Sequence, residues 1–172
     1  TFPADFMLIA AMNPCPCGNL NNPKKECVCP PGAISKYKRK ISGPLLDRID
    51  LYIEVPNIEY VKLEEGGVEI VPGESKSDII RKRVEKARQI QRERFSKLDK
   101  NMLRNSEMGA RDLVTIVQLD KESRRTLDLA AERLGFSPRV YHRMMKVART
   151  IADLECSGEI KNNHILEAVE YR

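Results

Sequence analysis

Tryptophan is absent from this sequence of 172 residues, and aromatic residues make up only 5% of it. The sequence also lacks any run of about 18 consecutive apolar residues, which excludes a helix that crosses a membrane. No charged and then apolar leader opens the chain, so we expect no secretory signal in these residues. Hydrophobic residues still make up 41%, which is enough for a modest core and excludes wholesale disorder. The length predicts one domain, or one domain with a small appendage.

The excess of positive charge lies in one segment. Thirty Lys and Arg residues stand against 25 Asp and Glu residues, for a net charge of +5. Residues 75–97 alone carry +6, because three acidic residues oppose nine basic ones: Lys76, Arg81, Lys82, Arg83, Lys86, Arg88, Arg92, Arg94 and Lys97. This segment is the natural candidate for contact with nucleic-acid phosphates. A solvated helix face is the alternative explanation of such a charge run.

Apolar periodicity divides the chain into two parts. Continuous apolar runs at 6–12 and 51–55 predict two short strands, the first of them buried on both faces. After residue 74, apolar stripes and breakers predict four or five helices. The predicted fold is therefore mainly α. A helical bundle at 75–172 follows a connector at 57–74, and residues 1–56 form the tail of an α/β domain whose beginning lies outside this sequence.

Capping residues predict where several of these helices begin and end. The predicted N-caps are Ser75 or Ser77, Asp120 and Ser137, and the predicted stop is Gly135. The helix that runs to about Lys97 has one predicted apolar stripe, which consists of Ile80, Val84, Ala87, Ile90 and Leu98.

Four of the five cysteines lie close together in the sequence, as Cys15, Cys17, Cys27 and Cys29. Their spacing is C-x-C-x₉-C-x-C, whereas the common zinc spacing is C-x₂-C. Four thiols bracketed by glycine and proline can still close a tetrahedral Cys₄ site for a structural zinc ion. Metal-free loop thiols and disulfides are the alternatives. We expect the remaining cysteine, Cys156, to be a buried small hydrophobe.

Three stretches of the sequence resemble one known family: Ala10–Gly18 (AAMNPCPCG), Ile41–Leu51 (ISGPLLDRIDL) and Ser137–Leu154 (SPRVYHRMMKVARTIADL). They are similar to the magnesium-chelatase-like AAA+ ATPases of the ComM (YifB) type. The first two stretches have relatives in the chelatase subunit and in the MCM helicases, and the third, with the cysteine loop, points to the ComM branch. The resemblance implies the end of an ATPase core followed by a helical lid.

The resemblance implies catalytic roles for two residues. Asn13 matches the sensor-1 position, where an amide orients the water that attacks the γ-phosphate. Its place at the carboxyl end of a predicted buried strand agrees with this role. Its alternative is a turn-forming residue before Pro14. Arg48 matches the arginine finger, which stabilises charge on the transferring phosphoryl group. The alternative for Arg48 is a local ion pair with Asp47 or Asp50.

Arg139 matches the sensor-2 position, which implies nucleotide binding. It lies in the first turn of a predicted helix, where the helix dipole disfavours a cation and so favours an anionic ligand nearby. A solvated arginine without a role is the alternative. The sequence lacks the phosphate loop G-x-x-x-x-G-K-[ST]. We therefore expect ATP and Mg²⁺ to be bound mainly by a missing upstream part, and this chain alone to be inactive as an ATPase.

The function that the resemblance implies is ATP-driven remodelling of DNA, such as branch migration during recombination or transformation. It further implies self-association into a ring, expected to be a hexamer, contact with single-stranded or branched DNA, and a cytoplasmic location in which thiols stay reduced. Two alternatives remain open. One is a chelatase-type subunit that drives metal insertion into a porphyrin, and the other is a non-enzymatic helical module that binds DNA or protein.

Overall fold

The structure is a computed structural model that describes residues 6–55 and 75–172. The chain divides into two compact units, a first unit that ends at Leu46 and a helical unit from Asp47 to Arg172. Residues 47–55 thus group with the helices that follow them. The predicted domain division at residue 56 stays a prediction, and the predicted connector at 57–74 lies outside the described residues.

The described part of the first unit contains two short helices. Helix α1 spans Pro31–Lys38, and its start is favoured by Pro31, whose fixed φ suits the first helical position. Helix α2 spans Gly43–Leu46, where the Ser42 hydroxyl accepts a hydrogen bond from the Leu45 N–H at 3.3 Å.

The two predicted strands are not formed in the described residues. Phe6, Met7 and Ile9 have 74%, 82% and 84% of their surface exposed, although the sequence predicted a strand buried on both faces. Residues 51–55 likewise have no strand. A strand needs neighbouring strands that accept its hydrogen bonds, and the described residues supply none to either segment. The prediction of about two strands is wrong for these residues, while the prediction of a mainly helical fold is confirmed.

The helical unit consists of five helices and one short 3₁₀ turn in its described part. They are α3 (Lys76–Lys97), the 3₁₀ turn (Asn105–Glu107), α4 (Ala110–Ile116), α5 (Lys121–Leu134), α6 (Pro138–Leu154) and α7 (Asn162–Glu170). The predicted caps are confirmed: Ser75, Asp120 and Ser137 accept backbone hydrogen bonds at the starts of α3, α5 and α6, and Gly135 ends α5 with a left-handed φ of +64°. No helix among the described residues is long and apolar enough to span a membrane.

Helix α6 is the centre of this unit. It packs against α3, α4, the 3₁₀ turn and α7, and α7 packs against α5. The largest apolar side chains buried between these elements are Phe95, Leu113, Leu127, Met144 and Ile165. The predicted face of α3 is only partly right, because Ile80 is 62% and Leu98 41% exposed, while Ala87, Gln91 and Phe95 are buried. Cys156, expected to be buried, is exposed.

The side chain of Gln91 explains part of this difference. Its amide oxygen accepts the backbone N–H of Asn105 at 3.3 Å, so a polar side chain is buried on the same helical face as Val84 and Ala87, which precede it by seven and four residues. Buried polar groups are stable when they are paired in this way.

A buried carboxylate joins the elements around α6. Asp153 is fully buried and accepts hydrogen bonds from Arg94 on α3, from the Nε of Arg149 at 3.1 Å and from the amide of Asn105 at 2.8 Å. Arg149 is also buried, and it donates to the backbone oxygens of Ser157 at 2.6 Å and Gly158 at 2.9 Å. Burial lowers the pKa of Arg149, and the charge of Asp153 opposes that effect. We call Asp153, Arg94, Arg149 and Asn105 the Asp153 cluster.

Replacing Asp153 with Ala should destabilise the helical unit strongly. The change leaves the buried guanidinium of Arg149 without its carboxylate, and breaking a buried pair in this way costs about 3–5 kcal/mol. The free energy of unfolding in urea measures the effect. Asp50→Ala is the matched control, since the Asp50 side chain is 62% exposed and its pair with Arg143 is worth at most about 1 kcal/mol. An equal loss of unfolding free energy in the two variants would contradict the role given to the Asp153 cluster.

Candidate metal centre and nucleotide-linked residues

The four clustered cysteines meet in the folded chain. Their Sγ atoms all lie within 4.8 Å of one another. Cys15 Sγ lies 3.4 Å from Cys17 Sγ and 3.7 Å from Cys27 Sγ, and the Cys17–Cys27 distance is 3.6 Å. Four sulfurs bonded to one zinc at about 2.3 Å would be separated by about 3.8 Å from one another. The thiols are therefore placed as a Cys₄ group that can hold a metal ion.

Two short C-x-C segments build this group. In the first, the N–H of Gly18 donates to the carbonyl of Cys15 at 3.0 Å, and the φ of +79° at Gly18 closes the turn in a conformation that favours glycine. The second segment immediately precedes helix α1. Backbone N–H groups donate to the sulfurs, from Asn19 and Val28 to Cys17 and from Cys29 to Cys27. Such bonds stabilise thiolates, which are the form that binds metal.

The thiols of this group have divergent pKa values. The backbone hydrogen bond from Asn19 is the main cause that lowers the pKa of Cys17 to about 6. At Cys27 the backbone hydrogen bond from Cys29 also acts to lower the pKa, but burial and the neighbouring thiols outweigh it and raise the pKa to about 12. The pKa of Cys29 is raised in a similar way. Cys17 thus deprotonates easily, while its negative charge and burial make deprotonation of Cys27 and Cys29 harder. A bound cation would favour the thiolate form of all of them.

Asn13 lies beside the first cysteine turn. Its side chain is exposed and lies near Gly18, where a Cβ would be 3.8 Å from Asn13 Nδ2, an ordinary van der Waals distance. Its amide forms no hydrogen bond with another residue in the part of the chain that the structure describes. The amide is therefore available to a ligand.

Arg48 is an exposed residue in a segment that is docked on the helical unit. The carboxylate of Asp47 accepts from Arg172 at 3.1 Å and from the Ser137 hydroxyl at 3.2 Å. Asp50 pairs with Arg143 at 2.8 Å. Both carboxylates that sequence reasoning offered as local partners of Arg48 are thus bound by arginines from α6 and the chain end.

Backbone contacts hold the same segment. Arg143 donates to the carbonyl of Arg48, and the N–H of Tyr52 donates to the carbonyl of Tyr171 at 2.8 Å. The guanidinium of Arg172 also lies over the ring of Tyr52, 5.1 Å from its centre. The position of Arg48 is therefore fixed by helix α6 and by the residues that follow α7.

Arg139 lines a shallow cleft of about 310 Å³ on the helical unit. The cleft is basic, because His142, Arg143 and Lys146 follow Arg139 on the same face of α6, and Met108 and Leu113 form its apolar side. Lys146 donates to the carbonyl of Ser106 at 2.9 Å, and burial is the main cause that lowers its pKa. The structure thus gives Arg139 basic neighbours on its own helix.

Sequence reasoning missed the neighbours of Arg139 in this cleft. It gave no role to His142, Arg143 or Lys146. The signal was present, since these residues follow Arg139 at spacings of three, four and seven, which place them on one helical face. Outside the cleft, His164 is fully buried, and its ring contacts Glu155 at 2.9 Å.

Eight of the nine basic residues of α3 are exposed. Arg94 is half-buried and belongs to the Asp153 cluster, while the exposed Arg83 donates to the carbonyl of Leu154 at 3.2 Å. The other seven are exposed: Lys76, Arg81, Lys82, Lys86, Arg88, Arg92 and Lys97. We call these seven residues the α3 basic surface. Two of the three opposing acids have neighbours on the helix, since Asp78 pairs with Arg81 and Glu93 accepts from Gln89.

Comparison with known proteins identifies the relatives of the chain. Residues 74–172 match the family model described as magnesium chelatase, subunit ChlI C-terminal, and residues 1–63 match that of magnesium chelatase, subunit ChlI. The chain belongs to the magnesium chelatase family. It is 38% identical to the competence protein ComM of Haemophilus influenzae over 99% of its own length and 31% of the relative. It is also 38% identical to YifB of Escherichia coli, over 100% of the chain and 32% of that protein.

This magnesium-chelatase-like chain is thus of the ComM and YifB type. A relative from Mycobacterium tuberculosis is 32% identical over 99% of the chain and 32% of its own length. The chain spans about a third of the length of the curated relatives it matches. An AAA+ family of this type is consistent with ATP hydrolysis by a longer protein. The roles of Asn13, Arg48, Arg139 and the four cysteines stay predictions.

Proposed function

We propose that this chain is the C-terminal part of a longer AAA+ ATPase that assembles into a ring, expected to be a hexamer, and couples ATP hydrolysis to the remodelling of DNA. ATP and Mg²⁺ would be held mainly by the upstream part. In this mechanism Arg48 reaches the triphosphate bound by a neighbouring subunit, Asn13 orients the attacking water, and Arg139 links the helical unit to the bound nucleotide.

The observation that carries this proposal is the anchoring of Arg48. The segment around it is held by Arg143, Arg172 and Ser137, while the Arg48 side chain itself is exposed. A guanidinium acts as an arginine finger when its backbone is fixed and its charge can reach a phosphate outside its own subunit.

In the full-length protein, Arg48→Ala should abolish most ATP turnover. Arginine fingers contribute about 10³–10⁵ in rate, so kcat should fall by at least about 10³ while the ring still assembles. Steady-state hydrolysis and sedimentation measure the two properties. The matched control is Arg125→Ala, which removes an exposed arginine of α5. Turnover at the parental rate in Arg48→Ala would contradict the proposal.

Two observations favour DNA as the substrate over a porphyrin. The relative from Haemophilus influenzae is named a competence protein. The α3 basic surface presents seven exposed cations on one helix, a charge density that favours contact with nucleic-acid phosphates. A chelatase-type subunit and a non-enzymatic helical module remain the other candidates, and stimulation of ATPase activity by forked DNA would separate both from the proposed function.

Binding of single-stranded DNA should weaken with salt in proportion to the cations that contact phosphates. The variant Lys82→Ala, Lys86→Ala, Arg92→Ala should reduce the slope of log affinity against log salt by about 2, because each lost phosphate contact contributes about 0.7. Fluorescence anisotropy with labelled DNA measures the slope. The matched control Lys121→Ala, Arg125→Ala, Arg133→Ala removes the same charge from exposed positions of α5. Equal slopes of log affinity against log salt in both variants would mean that DNA binds outside the α3 basic surface.

We also propose that the Cys₄ group binds one structural zinc ion in the cytoplasm, where thiols remain reduced. The first unit supports this role, because Cys15 is the only buried residue in its described part. A unit without an apolar core gains its order from a metal or another cross-link.

Protein purified without chelators should therefore contain about one zinc per chain, because four thiolates fill a tetrahedral site. Atomic emission analysis measures the stoichiometry. A content near zero, with all four thiols reduced, would support the metal-free alternative, and blocked thiols would support disulfides.

A further inference from the structure

The turn that carries two of the four cysteines also carries Asn13. Cys15 and Cys17 lie within the turn that the Gly18 N–H closes on the Cys15 carbonyl. Asn13 precedes Cys15 by two residues, and its amide lies at ordinary van der Waals distance from where a Cβ on Gly18 would be. We therefore expect a displacement of the turn to move Asn13 as well.

The described residues on the other side of Asn13 give it no fixed position. Residues 6–12 form no helix or strand, and their side chains are exposed. The only described contacts that order Asn13 are thus those of the cysteine turn on its carboxyl side. Two proline residues, Pro14 and Pro16, restrict φ within this short stretch and transmit the position of the turn to Asn13.

The position of the cysteine turn depends on the second C-x-C segment, which begins at Cys27, ten residues after Cys17. The two segments meet through the thiols of Cys15, Cys17 and Cys27 at 3.6–3.7 Å, and through the N–H groups that face the sulfurs. Neutral thiols are weak donors and weak acceptors. Four metal–sulfur bonds would replace these weak contacts by a fixed tetrahedron.

We infer that a metal ion in the Cys₄ group acts as a clamp that fixes Asn13, so that occupancy of the metal site sets whether this amide is ordered for its nucleotide-linked role. This inference rests on the proposed function of Asn13, but the order of Asn13 can be measured without any nucleotide. Asn13 is the ligand-facing residue in this arrangement, and the cysteines are positioning residues that act through it.

The test is a nuclear magnetic resonance measurement on the 172-residue chain, loaded with zinc and then stripped by a chelator. We expect the backbone order parameter of Asn13 to be about 0.85 with zinc and below about 0.6 without it, and zinc addition to restore it. Asn162 in α7, whose side chain donates to Glu122, is the internal control and should not change. An unchanged order parameter at Asn13, or a chain that takes up no zinc, overturns the inference.

Single substitutions provide a second test. Cys27→Ser should lose zinc and disorder Asn13, whereas Cys156→Ser removes an exposed cysteine outside the group and should do neither. If Cys27→Ser does not fold, the reversible removal of zinc from the parent chain still decides the question. Retained order at Asn13 in a folded, zinc-free Cys27→Ser overturns the clamp.

A third measurement separates this inference from the proposed function. In the full-length protein, Cys27→Ser and Asn13→Ala should each lower kcat, and the double variant should be no slower than Asn13→Ala alone, because both changes remove the same ordered amide. Additive losses overturn the clamp. Full activity of Asn13→Ala overturns the proposed role of Asn13, while the zinc-dependent order of Asn13 in the isolated chain would still stand.

Discussion

The helical unit depends on one buried negative charge. Asp153 is fully buried and is stabilised by two guanidinium groups and one amide that come from α3, α6 and the 3₁₀ turn. A carboxylate in such surroundings tolerates only an arrangement in which all its partners are present, because an unpaired charge in the interior is very costly. The cluster therefore selects one packing of α3 against α6, whereas apolar contacts alone would tolerate several.

Helix α6 links the Asp153 cluster to the segment that contains Arg48. The carboxyl end of α6 holds Asp153 and Arg149, and its amino end holds Ser137 and Arg143, which bind Asp47, Asp50 and the carbonyl of Arg48. A helix of 17 residues is rigid enough to connect its two ends mechanically. The arginine proposed to act on a neighbour's nucleotide and the basic cleft beside Arg139 thus share one scaffold. A rearrangement of α6 would move both together.

Local signals in the sequence predicted local features well. Ser75, Asp120, Ser137 and Gly135 set helix boundaries through contacts within a few residues, so their effect can be predicted without tertiary information. Gln91 lies on the predicted stripe with Val84 and Ala87, but its polar side chain was left out of that stripe, because its partner is the backbone of Asn105, fourteen residues away. The clustering of four thiols was predicted from their spacing alone, while their separations of 3.4–3.7 Å required the folded turn.

The apolar run at 6–12 is exposed, so a metal site beside it can order the backbone where apolar burial does not. Apolar residues that find no neighbouring strand among the described residues cannot order the chain by burial, and the first unit has no other apolar core in its described part. A tetrahedral metal centre needs only four side chains and two turns to fix a backbone, and it does so independently of a sheet. Placed two residues after Asn13, it can hold that amide in one position whatever covers the apolar run. The sequence thus combines a polar residue suited to a phosphate with a cross-link that a unit of this size can build from its own side chains.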